Sequence, residues 1–158
     1  MKNLQALAYT STAINCSIEK IESILIDARE FNLQHGLTGV LLYSHGSFLQ
    51  YLEGEEDMLS AVYARIRNAR SHKNIGLLML RDIDERSFDD WQMGYGELTS
   101  SEMLTLSTAG WQQRYNAATQ QSSADQSSRH SPGQKLLKTF WMVAETRMES
   151  MALMGYAK

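Results

Sequence analysis

The chain has 158 residues, of which 43% are hydrophobic and 21% charged, with a formal net charge of −3. That length suits one domain with a working core, and the composition excludes wholesale disorder. The basic residues are scattered rather than striped and no segment reaches the length of a membrane span, so neither a nucleic-acid binder nor a membrane protein is expected.

Cys16 is the single cysteine, so no internal disulfide can form, and no Cys/His cluster has the spacing of a zinc site. The start of the chain carries Lys2 but no apolar run of the kind that leads a secreted protein. A cytoplasmic location is expected.

Residues 3–10 (NLQALAYT) read as a first strand with Leu7 and Tyr9 on one face. A polar turn follows, in which Asn15 or Ser17 can cap a helix. From Ile18 to Phe31 the apolar residues Ile18, Ile21, Ile24, Leu25, Ala28 and Phe31 recur at helical period, and His35-Gly36 marks the end. Residues 38–44 (TGVLLYS) are apolar on both faces, as in a strand covered twice. His45-Gly46 turns the chain back into SFLQYLE, 47–53, as a hairpin that Gly54 is expected to break. A second amphipathic helix spans 56–69, with Met58, Leu59, Val62 and Ile66 inward. A fourth strand is predicted at 75–81 and a fifth, less regular, at 88–96.

The order is β-α-β-β-α-β-β, an α+β pattern that matches the ferredoxin-like split βαβ motif. In that motif both helices cover one face of the sheet, and the groove between them suits a flat ligand. Beyond residue 98 the pattern changes. Residues 101–118 contain a helix, 119–134 read as a flexible polar connector holding Pro132, and 134–154 read as a long helix rich in Leu and Met with Phe140 and Trp141. The division is therefore 1–98 as a domain and 99–158 as a helical extension. The last helix has more apolar surface than a lone helix should expose, so it is expected on the sheet's open face or in a contact between copies of a homo-oligomer.

Strand alternation puts Phe48, Gln50 and Leu52 on one face, and Leu49, Tyr51 and Glu53 on the other. Gln50 thus points inward, where an amide left without partners costs about 1–3 kcal/mol. Two readings are open: a structural glutamine bonded to backbone, or a ligand-facing amide. The same choice stands for Tyr9 and for Asn32, which could cap the first helix. Ile24 and Ile66 are core residues on composition alone. Glu53, Glu55, Glu56 and Asp57 read as an acidic cluster at a helix start. No phosphate loop or nucleophile elbow is present, and His35, His45 and His72 have no ligand spacing.

The stretch Ala8-Tyr9-Thr10-Ser11, the helix ending at Asn32, the block LTGVLLYSHGSFLQYLEGE at 37–55 and the closing WQMGY at 91–95 together resemble the BLUF domain, a sensor of blue light using flavin. The resemblance spans residues 3–97. It implies a blue-light photoreceptor, not an enzyme, holding a flavin without a covalent bond, usually FAD, with FMN and riboflavin as alternatives. A flavin-dependent redox enzyme of ferredoxin-like fold is the competing reading. By the resemblance, Ile24 and Ile66 sandwich the flavin ring, Asn32 bonds its pyrimidine edge, and Phe48 stands beside it. Gln50 lies between flavin and Tyr9, the photochemical electron donor, and relays the phenolic proton. Arg29, Arg65 and His72 are implied as contacts to the polar part of the cofactor. Trp91 and Met93 are implied as fifth-strand residues whose exposure changes with the signalling state. A downstream signalling protein is the implied partner. The turn after the second helix, usually D-x-R-H in the family, is here Ala69-Arg70-Ser71-His72, and Phe31 replaces a residue that is often polar.

Overall fold

The computed structural model describes residues 3–112 and 130–153. Strand β1 (Leu4–Ala13) is followed by helix α1 (Ile18–His35), the hairpin β2 (Thr38–Ser44) and β3 (Ser47–Glu55), helix α2 (Glu56–Arg67), β4 (His72–Asp82) and β5 (Gly94–Glu97). Helices α3 (Ser100–Ser107) and α4 (Pro132–Leu153) complete the described chain. The expected β-α-β-β-α-β-β order is present, in an α+β ferredoxin-like arrangement. The sheet runs β4-β1-β3-β2-β5, antiparallel except for the β2–β5 pair.

Period-two alternation divides the core into two layers. Leu7, Tyr9, Leu41, Phe48 and Leu52 face α1 and α2, where Ile21, Leu25, Leu59 and Val62 meet them. Ala6, Ala8, Val40, Leu49 and Tyr51 face the other way, onto Phe88, Leu106, Leu137 and Trp141. Both faces of β2 and β3 are therefore covered, which is why their sequences are apolar throughout. Helix α1 starts where Ser17 Oγ accepts the Lys20 N–H, and ends at Gly36, whose φ of 66° is left-handed.

Several boundaries depart from the sequence reading: β1 runs on to Ala13 and β4 starts at His72, each three residues beyond its expected limit. Gly54 does not break β3, because the ladder continues through Gln5↔Gly54 and Leu4↔Glu55. A Cβ at residue 54 would collide with Leu37, so the glycine admits a crossing side chain rather than ending the strand. Helix α2 stops at Arg67, with Asn68 as its C-cap, two residues early. The fifth strand is Gly94–Glu97 and not 88–96. Residues 83–93 instead cross the sheet, and Phe88 mimics a strand residue because it fills the core beneath.

A further departure is at the C-terminal helix. Helix α4 begins at Pro132, inside the expected connector. Ser131 Oγ accepts the Gln134 N–H at 3.3 Å and Gln134 Oε1 accepts the Ser131 N–H at 2.8 Å, a capping box with proline in the first helical position. Residues 119–129 of the connector and 113–118 of the preceding predicted helix lie outside the described residues. Of the two expected positions for the last helix, the sheet's open face is where α4 packs, through Leu137, Trp141 and Ala144.

Candidate functional site

A cavity of about 180 Å³ lies between α1 and α2, with β1 and β3 as its floor. Its walls are drawn at helical spacing: Ile24, Asp27, Ala28, Phe31 and Asn32 on α1, and Val62, Arg65 and Ile66 on α2. Leu41, Phe48, Gln50 and Tyr9 complete the interior, while Ala69, Ser71 and His72 close the side after α2. Eight residues singled out in the sequence line it together: Tyr9, Ile24, Asn32, Phe48, Gln50, Arg65, Ile66 and His72. Asp27, Ala28, Phe31, Leu41, Val62, Ala69 and Ser71 were missed as lining residues. The first two were readable, since they follow Ile24 at three and four residues on the same helix face.

Tyr9 and Gln50 are direct cross-strand partners in the β1–β3 ladder, which puts their side chains side by side on the cavity face. Tyr9 Oη donates to Gln50 Oε1, and Gln50 Nε2 donates onward to Met93 Sδ at 3.6 Å. All three residues are buried. Burial, and secondarily the nearby Tyr63, pushes the Tyr9 phenol well above its ordinary range, so it stays a neutral donor. The Tyr9 ring also meets His72 edge-on, with centroids 5.9 Å apart. His72 Nε2 donates to Ile66 O at 2.9 Å, and its Nδ1 shares a hydrogen bond with Ser11 Oγ at 2.8 Å.

Asn32 is buried, and its side chain is not a helix cap. Gly36 N–H and Leu37 N–H take its backbone carbonyl, while Nδ2 reaches across to Gln92 O. Arg29 is placed differently from the lining residues: its Nε donates to Met93 O at 3.0 Å. Arg65 sits exposed at the mouth, with its guanidinium carbon 4.6 Å above the Phe31 ring. Phe31, a departure from the family pattern, thus serves as a platform for that cation.

Trp91 and Met93 precede β5 rather than belonging to it. Met93 is buried against Gln50, whereas Trp91 is 37% exposed and packs edge-on against Trp141 of α4 at 5.4 Å. Segment 91–93 is therefore held from the cavity side by Asn32, Arg29 and Gln50, and from the far side by α4. Glu53, read as part of a helix-start cluster, is fully buried instead. It accepts the Ser87 and Phe88 N–H groups at 2.6 and 3.0 Å. Burial pushes its carboxyl upward, while those N–H groups, Tyr51 and Arg86 pull it down.

This donor set suits a flavin. Aliphatic side chains on facing helices can clamp a planar ring, Gln50 and Asn32 can bond its polar edge, and Arg65 can meet an anionic tail at the mouth. Among the described residues, no cluster of His, Cys, Asp or Glu could hold a metal ion, and no helix is long and apolar enough to cross a membrane.

The BLUF family, described as sensors of blue-light using FAD, matches residues 4–94. A photoactivated adenylate cyclase subunit beta from Euglena longa is 33% identical over 92 residues, covering 57% of this chain and 11% of that protein. The blue light- and temperature-regulated antirepressor BluF of Escherichia coli is 34% identical over 71 residues, covering 45% and 18%. This chain thus spans a small fraction of the curated relatives it matches. Among solved structures, BlrB, a BLUF protein in its dark state, superposes with a TM-score of 0.59 at 30% identity, covering 67% of this chain and 80% of that one. BlsA in its photo-activated state superposes with a TM-score of 0.60 at 31% identity, covering 65% and 76%.

Proposed function

The chain belongs to the BLUF family of blue-light sensors, and we propose that its 1–98 region binds FAD between α1 and α2 and reports light by switching the Tyr9–Gln50–Met93 chain of hydrogen bonds. The observation that carries this reading is that chain itself, buried at the floor of the inter-helix cavity. Ile24 and Ile66 would hold the two faces of the ring, Asn32 and Gln50 its polar edge, and Arg65 the phosphate end. Bound there, the flavin supplies visible absorption and an excited state that accepts an electron from a nearby phenol.

The chain's own residues supply the rest. Tyr9 lies in a dry site and its hydroxyl already points at Gln50 Oε1, so its proton has one short path. Gln50 can receive that proton and then change tautomer or orientation. Its other bond, to a thioether, is with a weak acceptor and is readily given up. Release of Met93 would loosen a segment that Trp91 joins to α4. Signal would leave through the 99–158 extension to a downstream protein in the cytoplasm, with a homo-oligomer as the working assembly. No substrate is turned over in this scheme.

The test is the visible spectrum of purified protein, supplied separately with FAD, FMN and riboflavin, before and after a blue flash. A yellow protein with a reversible red shift, tightest with FAD, supports the reading, and a folded protein that stays colourless overturns it. Gln50→Leu should keep the colour and lose the shift. A normal shift in that variant removes Gln50 from the switch.

A further inference from the structure

The connection between β4 and β5 poses a physical problem of its own. It leaves one edge of the sheet and enters the other, passing β1, β3 and β2 on the way. Four strand spacings are about 19 Å, whereas the residues between Asp82 and Gly94 could reach about 36 Å when extended. The segment has slack, so its length does not decide where Gln92 and Met93 arrive.

Its middle is tied to β3 by a buried carboxylate. Glu53 Oε1 accepts Ser87 N–H and Oε2 accepts Phe88 N–H, on the sheet face away from the cavity. Tyr51 Oη and Thr38 Oγ1 donate to the same two oxygens at 3.2 and 3.4 Å. Arg86 adds bonds to Thr38 Oγ1, Glu53 O and Gly36 O at 2.8, 3.2 and 2.7 Å. From Phe88 onward little freedom is left. Trp91 N–H returns to Phe88 O at 3.1 Å, and Trp91 O accepts Gly39 N–H of β2 at 2.9 Å. Two residues later Met93 Sδ meets Gln50.

We propose that Glu53 is a positioning residue for the photoreaction: from the opposite side of the sheet it sets the register of residues 83–93, and through it the contact of Met93 with Gln50. This rests on the photosensor reading for its consequence, though the anchoring itself does not. Glutamine is nearly isosteric, yet its NH₂ cannot accept an N–H, so one of the two amides loses its acceptor and the register loosens.

The test uses protein as purified, labelled with 13C at methionine methyls and kept dark, the Met93 signal being identified by its absence in Met93→Leu. E53Q should shift or broaden the Met93 methyl resonance. Tyr51→Phe, which removes a donor to Glu53 but leaves the Ser87 and Phe88 bonds, should leave it in place. In flavin-loaded E53Q the red shift should persist, with dark recovery at least threefold slower. An unmoved Met93 signal with a lowered melting temperature makes Glu53 merely structural and overturns the proposal. Should E53Q fail to fold, Arg86→Lys loosens the same crossing, and there a shifted Met93 signal supports the anchoring while an unchanged one overturns it. Failure of the photosensor reading has a different signature: wild-type protein without colour or red shift.

Discussion

Gly94→Ala tests whether α4 clamps the strand that follows the cavity floor. A Cβ at residue 94 would lie 2.6 and 2.8 Å from the Cη2 and Cζ2 atoms of Trp141, and 3.2 Å from Val40 Cγ1. Carbon contacts settle near 3.5–4.0 Å, so the indole must withdraw by about 1 Å. It has little room, since the rings of Trp91 and Phe88 meet it edge-on at 5.4 and 6.4 Å. Overpacking of this kind costs about 1–3 kcal/mol. The φ of Gly94 is outside the left-handed region, so alanine is tolerated by the backbone and returns about 0.4–1 kcal/mol through the unfolded chain. The net expectation is a loss of about 1–2 kcal/mol. Trp141→Ala alone should cost about 3–5 kcal/mol. In that background the new methyl meets only the Val40 contact, so adding Gly94→Ala should be neutral within about 0.5 kcal/mol. The coupling between the two changes is then about 1–2 kcal/mol, well beyond the additivity of independent sites. Urea unfolding followed by far-ultraviolet circular dichroism, at constant m, measures all four proteins. If Gly94→Ala costs the same with and without Trp141, α4 does not press on the strand as described.

Alkaline pH should destabilise the fold. Burial raises the Tyr9 and Tyr51 phenols above their ordinary value, so above about pH 10 the unfolded chain releases protons that the native state retains. The native state then binds more protons, and stability falls as pH rises, by about 1.4 kcal/mol for each tyrosine over the two pH units from about 9 to 11. Urea midpoints taken from about pH 9 to 11 should show this slope, and Tyr9→Phe should remove close to half of the part due to these two residues; an unaltered slope would falsify the burial argument for Tyr9. Ser131→Ala should cost about 1 kcal/mol by removing the first cap of α4, read as a lower melting temperature, and no change would mean that the capping box contributes nothing.

The layer that lines the inter-helix cavity was the more legible one. Tyr9 and Gln50 could be placed on one face because strand alternation is local and their neighbours Leu7, Phe48 and Leu52 are apolar. The stripes of α1 and α2 were legible for the same reason. Glu53 was misread because, within its own segment, it belongs to a run of carboxylates. Its partners at Ser87 and Phe88 lie more than thirty residues away and present backbone rather than side chain. Residues 88–93 were mistaken for strand because a core anchor and a strand residue both look apolar at alternate positions. Pro132 was mistaken for a connector residue because proline both ends polar stretches and opens helices, and the capping partner Gln134 had been counted as the helix start.

Local pattern by itself determined the order of elements and the inward face of each. Those properties depend on the spacing of apolar residues within a dozen positions, which any stretch of chain carries on its own. Only the tertiary structure decided that Met93 rather than Trp91 meets Gln50, that Arg29 bonds a backbone carbonyl beside the cavity, and that a buried carboxylate holds the crossing segment. These are contacts between distant parts of the chain, and their geometry exists only once both layers have closed on the sheet.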